Sequence, residues 1–583
     1  MYLRCSLRNL WAGFIPALFL LSLPALSQSF SDNYWKKILW YEGSSGLVSD
    51  NKFYLAENGK TYPEAELKES LRLFKTDSKF GKLQLPAKCA YPLRWKYLNQ
   101  IEPLPSPQTG CEEFEAWKRD LGVTKVSLIF AGYYPNNPAS IFGHTFLKLH
   151  GPQKERLLDY GVNFAAITGE ETGLIFGLKG LFGSYEGFFN LAPYFLKVNE
   201  YNNTEGRDLF EYELNLNPEE IEILLDGLWE IANNGSFDYF FLSKNCSYFL
   251  LRLLDIARLN STMAEDFSHI AIPSETLKGV VENGMTEKVV MRSSLDRELV
   301  QIHQELGPDH LWTKIKVAQF KKQTLKDWSE GENENLHHLL TEQSSQQVPK
   351  ISPVIMTDHP AQTHGPFRIE LGVSEVNQEF GTNLMIKPAV HDLVDPPTGH
   401  LPYSKMDLLA LSMRSEKLDQ WSLQKFSLIE TSAFTPWRTW SRRFSWRGEL
   451  THFQEEWSVK GRRLDQFLSG AGLTYELAPG VITSLLLTAH LDLSNHFREG
   501  WSLNLDPEWT VLASFDQWSY FQKWRLAQRW ERGEDQKFYE ITEEARYSLG
   551  KRDWVRAEFT FYHEWGDTKL DQSRWSLGWV RAF

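Results

Sequence analysis

The feature that most restricts the fold of this chain is a strict alternation of apolar and polar residues near its end. Leu485, Leu487, Ala489, Leu491 and Leu493 fall on one side of an extended chain, and Ser484, Thr488, His490 and Asp492 on the other. Val555, Ala557, Phe559 and Phe561 alternate in the same way with Arg556, Glu558, Thr560 and Tyr562. A period of two belongs to strands whose two faces meet different surroundings. Such strands return about every 18 residues, so residues 364–583 hold roughly twelve, an even number suited to a closed antiparallel transmembrane β-barrel. Of the 22 tryptophans, 14 lie in this segment, among them Trp501, Trp518, Trp554, Trp565 and Trp579, as the aromatic belts at membrane interfaces require.

A soluble β-sandwich or closed barrel shares the alternation, but it explains the aromatic load and export less well. In the last strand Trp575, Leu577, Trp579 and Phe583 alternate, which resembles the terminal strand of outer-membrane barrels; Arg581 departs from that pattern. Export is read at the other end. Arg4 and Arg8 precede an apolar stretch from Leu10 to Leu23, and Ala25 and Ser27 place small side chains before Gln28, the layout of a cleaved signal peptide over residues 1–27. About 14 apolar residues are too few to span a bilayer, which needs ~20. No later run approaches a transmembrane helix, and the expected address is the outer membrane with the N-terminal domains in the periplasm.

Cys5 leaves with the signal, so three cysteines remain in an oxidising compartment. Cys89 and Cys111 enclose a short proline-containing loop and are assigned to one disulfide; Cys246 is the free thiol. The net charge of −13 argues against a nucleic-acid partner. Residues 28–115 read as a small helical leader, with Pro63 opening a helix. Residues 116–268 change character: strands over Val126–Phe130, Ile141–Leu149 and Arg156–Phe164 form a hairpin about a turn near Pro152-Gln153. Leu174–Leu191 reads as an apolar binding loop. Asn217-Pro218-Glu219-Glu220 starts a helix, and Asn245 starts another with Phe249, Leu250, Leu253, Leu254 and Ala257 on its buried side. Residues 269–363 read as a helical connector.

Chemistry is expected at Cys246 and His144. A thiol at a helix N-terminus has its thiolate stabilised by unpaired N–H groups and the helix dipole, and a histidine on a neighbouring strand can take and return its proton. A third residue fixes the imidazole. With the turn at Pro152-Gln153, Gly161 lies opposite His144, and Asp159 and Asn163 flank it on the same face; one of them is the orienting residue. No Cys-x-x-Cys or His-x-x-x-His cluster accompanies these residues, so no metal is expected, and no cofactor.

Four segments together carry a resemblance: 136–147 around Phe142-Gly143-His144-Thr145, 158–166 around Asp159 and Asn163, Glu200-Tyr201 with Arg207-Asp208-Leu209, and Asn245-Cys246-Ser247-Tyr248. They resemble the periplasmic domain of the Lnb lipoprotein N-acyltransferase family, over about Ala116–Leu259, in a barrel-bearing Gram-negative relative. The resemblance implies an α+β, permuted papain-like (NlpC/P60-like) domain, since His144 precedes Cys246. It implies a periplasm-facing thiol acyltransferase with an acyl-Cys246 intermediate, membrane lipid as acyl donor and a lipoprotein amine as acceptor, and it places Asn137, Ser140, Asn245 and Tyr201 at the substrate. A peptidoglycan amidase or cysteine peptidase would use the same residues with water as acceptor. An outer-membrane pore or scaffold with a non-catalytic papain-like binding module is the third reading.

Overall fold

The computed structural model describes residues 32–583 apart from 51, 106–109, 135–141, 154, 170–178, 181, 325–328, 345–348, 350–358, 396–401, 418–419, 456–461, 516, 532–533 and 566–569. The expected signal peptide, Asn137 and Ser140 lie outside the described residues. The N-terminal part is built on a seven-stranded antiparallel sheet of β1 (Lys125–Ala131), β2 (His144–His150), β3 (Tyr160–Ala166), β4 (Tyr185–Pro193), β5 (Leu209–Leu214), β6 (Phe237–Tyr239) and β7 (Thr286–Arg292), in the order β6-β4-β3-β2-β1-β5-β7. Two helices, α1 (Pro218–Asn234) and α2 (Cys246–Ala257), pack together on one face. Asn217 caps α1 with a full capping box, as the Asn-Pro-Glu-Glu start requires.

The sheet separates two apolar clusters. Leu128, Phe130, Leu147, Val162 and Phe164 join the helices in the main core. Ile129, Ala131 and Phe146 point the other way and meet Tyr194, Val198, Tyr201 and Leu209. The helical leader does not stand apart: Tyr34, Trp35, Leu39, Tyr91 and Leu98 belong to the same main core as α2. Cys89 and Cys111 form a disulfide across 22 residues. Thr286–Arg292, expected in the connector, instead pairs with β5 and forms the sheet's edge. Its pattern of exposed Glu287, Lys288 and Arg292 is that of a solvated edge strand, which local composition does not distinguish from a connector. The part expected as a binding loop over Leu174–Leu191 includes β4; residues 174–178 and 181 lie outside the described residues.

Residues 368–582 form a closed barrel of twelve antiparallel strands, β8 (Arg368–Val376), β9 (Glu379–Lys387), β10 (Ser404–Ser415), β11 (Trp421–Ala433), β12 (Ser445–Gln454), β13 (Arg463–Ala478), β14 (Val481–Leu493), β15 (Trp501–Phe515), β16 (Trp518–Glu531), β17 (Glu534–Ser548), β18 (Asp553–Trp565) and β19 (Leu570–Ala582). Each strand pairs with the next, and β8 pairs with β19 from Arg368–Ala582 to Val376–Arg574, which closes the barrel. A three-residue extension, Ala389–His391, continues β9 along β10 after Pro388 interrupts it; proline has no N–H to give the ladder.

The alternation is resolved as apolar outside and polar inside. Leu485 is 61% exposed, whereas Ser484, Thr488, His490 and Asp492 are buried. The lumen is crossed by ion pairs such as Arg447–Glu508 at 2.7 Å, Arg525–Glu540 at 2.9 Å, Arg529–Glu455 at 2.9 Å and Arg556–Glu370 at 3.1 Å. Arg581 packs its guanidinium 5.9 Å from the Trp579 ring and 5.8 Å from the Phe583 ring, so the one charge that breaks the last strand's pattern lies over interfacial aromatics. No described helix is long and apolar enough to cross a membrane; the strands do so.

Candidate active site

Helix α2 is held by aromatic contacts at its first turn. Phe249 packs its ring, tilted, with centroids 4.1 Å from Phe237 and 4.5 Å from Phe164, which fixes the N-terminus of α2 against β3 and β6. The helix is buried on every side rather than on one. Asn245 caps it: Oδ1 accepts from the N–H groups of Ser247 (3.1 Å) and Tyr248 (3.3 Å), and Nδ2 donates to the carbonyls of Phe241 (2.9 Å) and Ala271 (2.6 Å). Its amide is therefore spent within the protein, and Asn245 is a structural cap rather than a free substrate ligand. The same cap takes two of the helix N–H groups that an oxyanion would have used; the N–H of Cys246, 3.4 Å from the Tyr239 hydroxyl, is the most weakly engaged of them.

Cys246 is 2% exposed and is the free cysteine among the described residues. Its sulfur faces the backbone N–H of Thr145, the first residue after His144, and the hydroxyl of Tyr239. Burial pushes the thiol's pKa above the ordinary 9.0, and those donors pull against it. His144 is 7% exposed; burial brings its pKa down from 6.5 to about 3, with Arg207 and Lys197 acting in the same direction and the bond to Asn163 against it. The resting pair is therefore a neutral thiol and a neutral imidazole. Among the described residues no hydrogen bond joins the two side chains; Thr145, next to His144 in the chain, is the residue that meets the sulfur.

His144 Nε2 lies 2.6 Å from Asn163 Oδ1. The amide oxygen only accepts, so Nε2 carries the proton and Nδ1 holds the lone pair a general base needs. Asn163, not Asp159, is thus the residue on the imidazole. Asp159 precedes β3 and is fully buried, where it accepts from the Gly151 N–H at 3.0 Å and faces His150 Nδ1 at 3.3 Å and Lys148 Nζ at 3.6 Å. The hairpin register explains the difference. Gly161 pairs with Lys148, not with His144, because a 3₁₀ turn at Arg156–Leu158 lengthens the connection. Continuing the ladder sets Ala165 opposite His144 and Asn163 on the diagonal, on the same face.

Gly143 precedes His144 with φ +86, and a Cβ there would meet the Phe130 ring at 2.7 Å; only glycine fits that turn into β2. On the far side of the imidazole, the Tyr201 ring is 5.4 Å from that of His144, held in the π-helical segment Val198–Thr204. Pattern alone did not single out Thr145 or Tyr239, because their role comes from the backbone N–H and from a short strand distant in sequence. Among the described residues one cluster has metal-ligand types: His364, His391 and Asp395 bring ligand atoms within 4.8 Å of one another. Both Arg368 and Arg546 pair with Asp395, so guanidinium groups already satisfy that carboxylate and the two positive charges oppose a cation.

Fold and site together define an outer-membrane β-barrel protein whose periplasmic domain buries a cysteine at a helix start and a hydrogen-bonded histidine–asparagine pair on the neighbouring strands. Residues 113–283 match the family model of the Lnb N-terminal periplasmic domain, and this part of the protein belongs to that domain family. Two domains of unknown function match at residues 27–101 and 357–581. No curated protein matches the chain. Among solved structures, the NanC porin is 8% identical with a TM-score of 0.25, over 37% of this chain and 99% of the porin. The KdgM porin is 8% identical with a TM-score of 0.22, over 37% and 99%. OmpT, an outer membrane protein of Vibrio cholerae, is 6% identical with a TM-score of 0.20, over 37% and 96%. The barrel assignment stands on the strand pairings described above.

Proposed function

We propose that the periplasmic domain is a cysteine-dependent acyltransferase that takes its acyl chain from a lipid of the outer membrane's inner leaflet. The single observation that carries this reading is the 2.6 Å bond between His144 Nε2 and Asn163 Oδ1, which leaves Nδ1 as a base next to the residue whose N–H faces the Cys246 sulfur. In the first step the Sγ–H proton passes to His144 Nδ1 while sulfur attacks the ester carbonyl. The Cys246 N–H is the nearest donor for the oxyanion. Collapse breaks the C–O bond, the departing alkoxide takes the proton back from His144, and a lyso-lipid leaves a thioester on Cys246. An amine then attacks the thioester, its proton passes through His144, and the thiol is restored.

Two further features favour lipid chemistry. The barrel holds the domain where acyl donors are, and the buried, neutral thiol–imidazole pair suits a substrate that brings apolar chains and excludes water. A peptidoglycan amidase would use the same groups but has no donor-side reason for the tether. The test supplies the full-length protein with a phospholipid carrying a labelled fatty acid, together with a lipopeptide bearing a free N-terminal amine. Equal amounts of N-acylated peptide and lyso-lipid are expected. Label released only as free fatty acid would assign water as the acceptor and contradict acyl transfer to an amine.

A further inference from the structure

Arg207 is 1% exposed, and its two terminal nitrogens, Nη1 and Nη2, have no hydrogen-bond partner among the described residues. Its Nε faces Glu205 Oε2 at 2.8 Å, and its guanidinium carbon lies 4.7 Å from the Tyr134 ring and 5.2 Å from the Tyr201 ring. Arginine does not shed its charge, so the fold buries a cation with one carboxylate at its inner nitrogen and a two-pronged end that no described residue satisfies. Buried donors without partners are rare, and each calls for a cause.

The place of that end points to the cause. The Tyr201 ring that Arg207 covers is the ring against His144, and Lys197 Nζ lies 5.3 Å from the same ring while pairing with Glu200 at 2.8 Å. Both cations act on His144, each beside its own carboxylate, Glu200 or Glu205. Two parallel N–H donors of a guanidinium match two oxygens of a phosphate or carboxylate. We propose that Arg207 is the positioning residue that binds the phosphodiester of the acyl-donor lipid and so sets its ester at Cys246 and His144. The choice of a lipid phosphate rests on the acyl-transfer reading and on the barrel that keeps the domain at the membrane.

The test separates binding from turnover. Full-length Cys246→Ala protein in detergent is titrated by calorimetry with dihexanoylphosphatidylglycerol, with dihexanoylglycerol, which lacks the phosphate, and with inorganic phosphate alone. The phospholipid should bind about tenfold more tightly than either of the others, as expected for a charge-assisted bidentate contact. Arg207→Gln in the same background should abolish that preference while leaving dihexanoylglycerol unchanged. Arg207→Lys, which keeps the charge but not the fork, should retain only part of it, and it decides the matter if circular dichroism finds the Gln variant unfolded. Equal binding of the two lipids, an unaltered preference in the substituted proteins, or inorganic phosphate binding as tightly as the lipid would overturn the proposal. Phosphate- and Arg207-dependent lipid binding, together with no acyl adduct on Cys246 in the wild-type protein, would overturn the acyl-transfer reading and leave Arg207 as a lipid-phosphate site.

Discussion

Arg443, on a turn of the barrel, donates from Nη2 to the carbonyl oxygen of Thr204 at 3.1 Å, and its Nη1 reaches the carbonyl of Glu205 at 3.3 Å. The segment it holds carries Tyr201 on one side and Arg207 on the other. Trp440 of the same turn donates to Asp296 at 2.9 Å and packs with Leu299 and Phe320. The barrel is thus joined to the loop that borders the imidazole, as well as anchoring the domain.

Arg443→Ala should loosen that loop without unfolding either part, since hydrogen bonds of this partly exposed kind contribute roughly 1 kcal/mol. Amide exchange over residues 198–207 should rise by about fivefold, with the barrel's heat-modifiable gel mobility unchanged. An exchange pattern identical to wild type would remove the barrel turn from the site.

Asn163 and Asp159 should fail differently. Asn163→Ala leaves the fold and loses the imidazole's tautomer and orientation, so turnover should fall by on the order of 10²-fold or more. Asp159→Ala leaves Lys148 and His150 with Glu211, at 3.1 and 3.3 Å, but takes away the acceptor of the buried Gly151 N–H, a loss of about 1–3 kcal/mol of stability. Urea unfolding and initial rates on both variants decide this; an Asp159→Ala protein of native stability but no turnover would return the orienting role to Asp159.

The acid limb of stability should report His144. Its folded pKa of about 3 lies below the ordinary 6.5 because burial disfavours the imidazolium. Between those values the unfolded chain binds a proton that the folded protein refuses. The contribution of His144 is therefore complete above pH 6.5 and is lost as pH falls toward 3, by up to ~1.4 kcal/mol per pH unit. Denaturation midpoints of wild type and His144→Gln should diverge in slope between pH 6.5 and 4. Parallel curves would contradict a buried neutral imidazole.

The Cys89–Cys111 bridge closes a loop of 22 residues, and the carbonyl of Cys89 also accepts from the Trp229 indole at 2.8 Å. Cys89→Ser and Cys111→Ser should lower stability equally, by roughly 2–4 kcal/mol. Thiol labelling of the native exported protein that finds both cysteines free would refute the bridge.

The barrel was legible because each of its strands meets lipid on one face and a polar lumen on the other, so the period of two is written into every strand, as Leu485 and Ser484 illustrate. His144 and Cys246 were legible from local setting, the one on an apolar strand and the other after an Asn cap. The hairpin register was not. Its face was right, yet its position was off by four residues, because the 3₁₀ turn at Arg156–Leu158 and the Asp159 bond to Gly151 take up chain that a tight turn would have left in the strand. The merger of the leader into the main core, the edge strand at Thr286–Arg292, and the burial of Arg207 arise from contacts between distant segments, which no local pattern encodes.

The central claim is that Cys246 carries the acyl chain, and intact-mass and peptide mass spectrometry of the full-length protein after exposure to phospholipid vesicles tests it most directly. The expected result is a mass increase of one fatty acyl group on the peptide containing Cys246, removed by neutral hydroxylamine and absent from His144→Ala. An unmodified Cys246 in folded wild-type protein, under conditions where lyso-lipid accumulates, would contradict the thioester and with it the role given to this site.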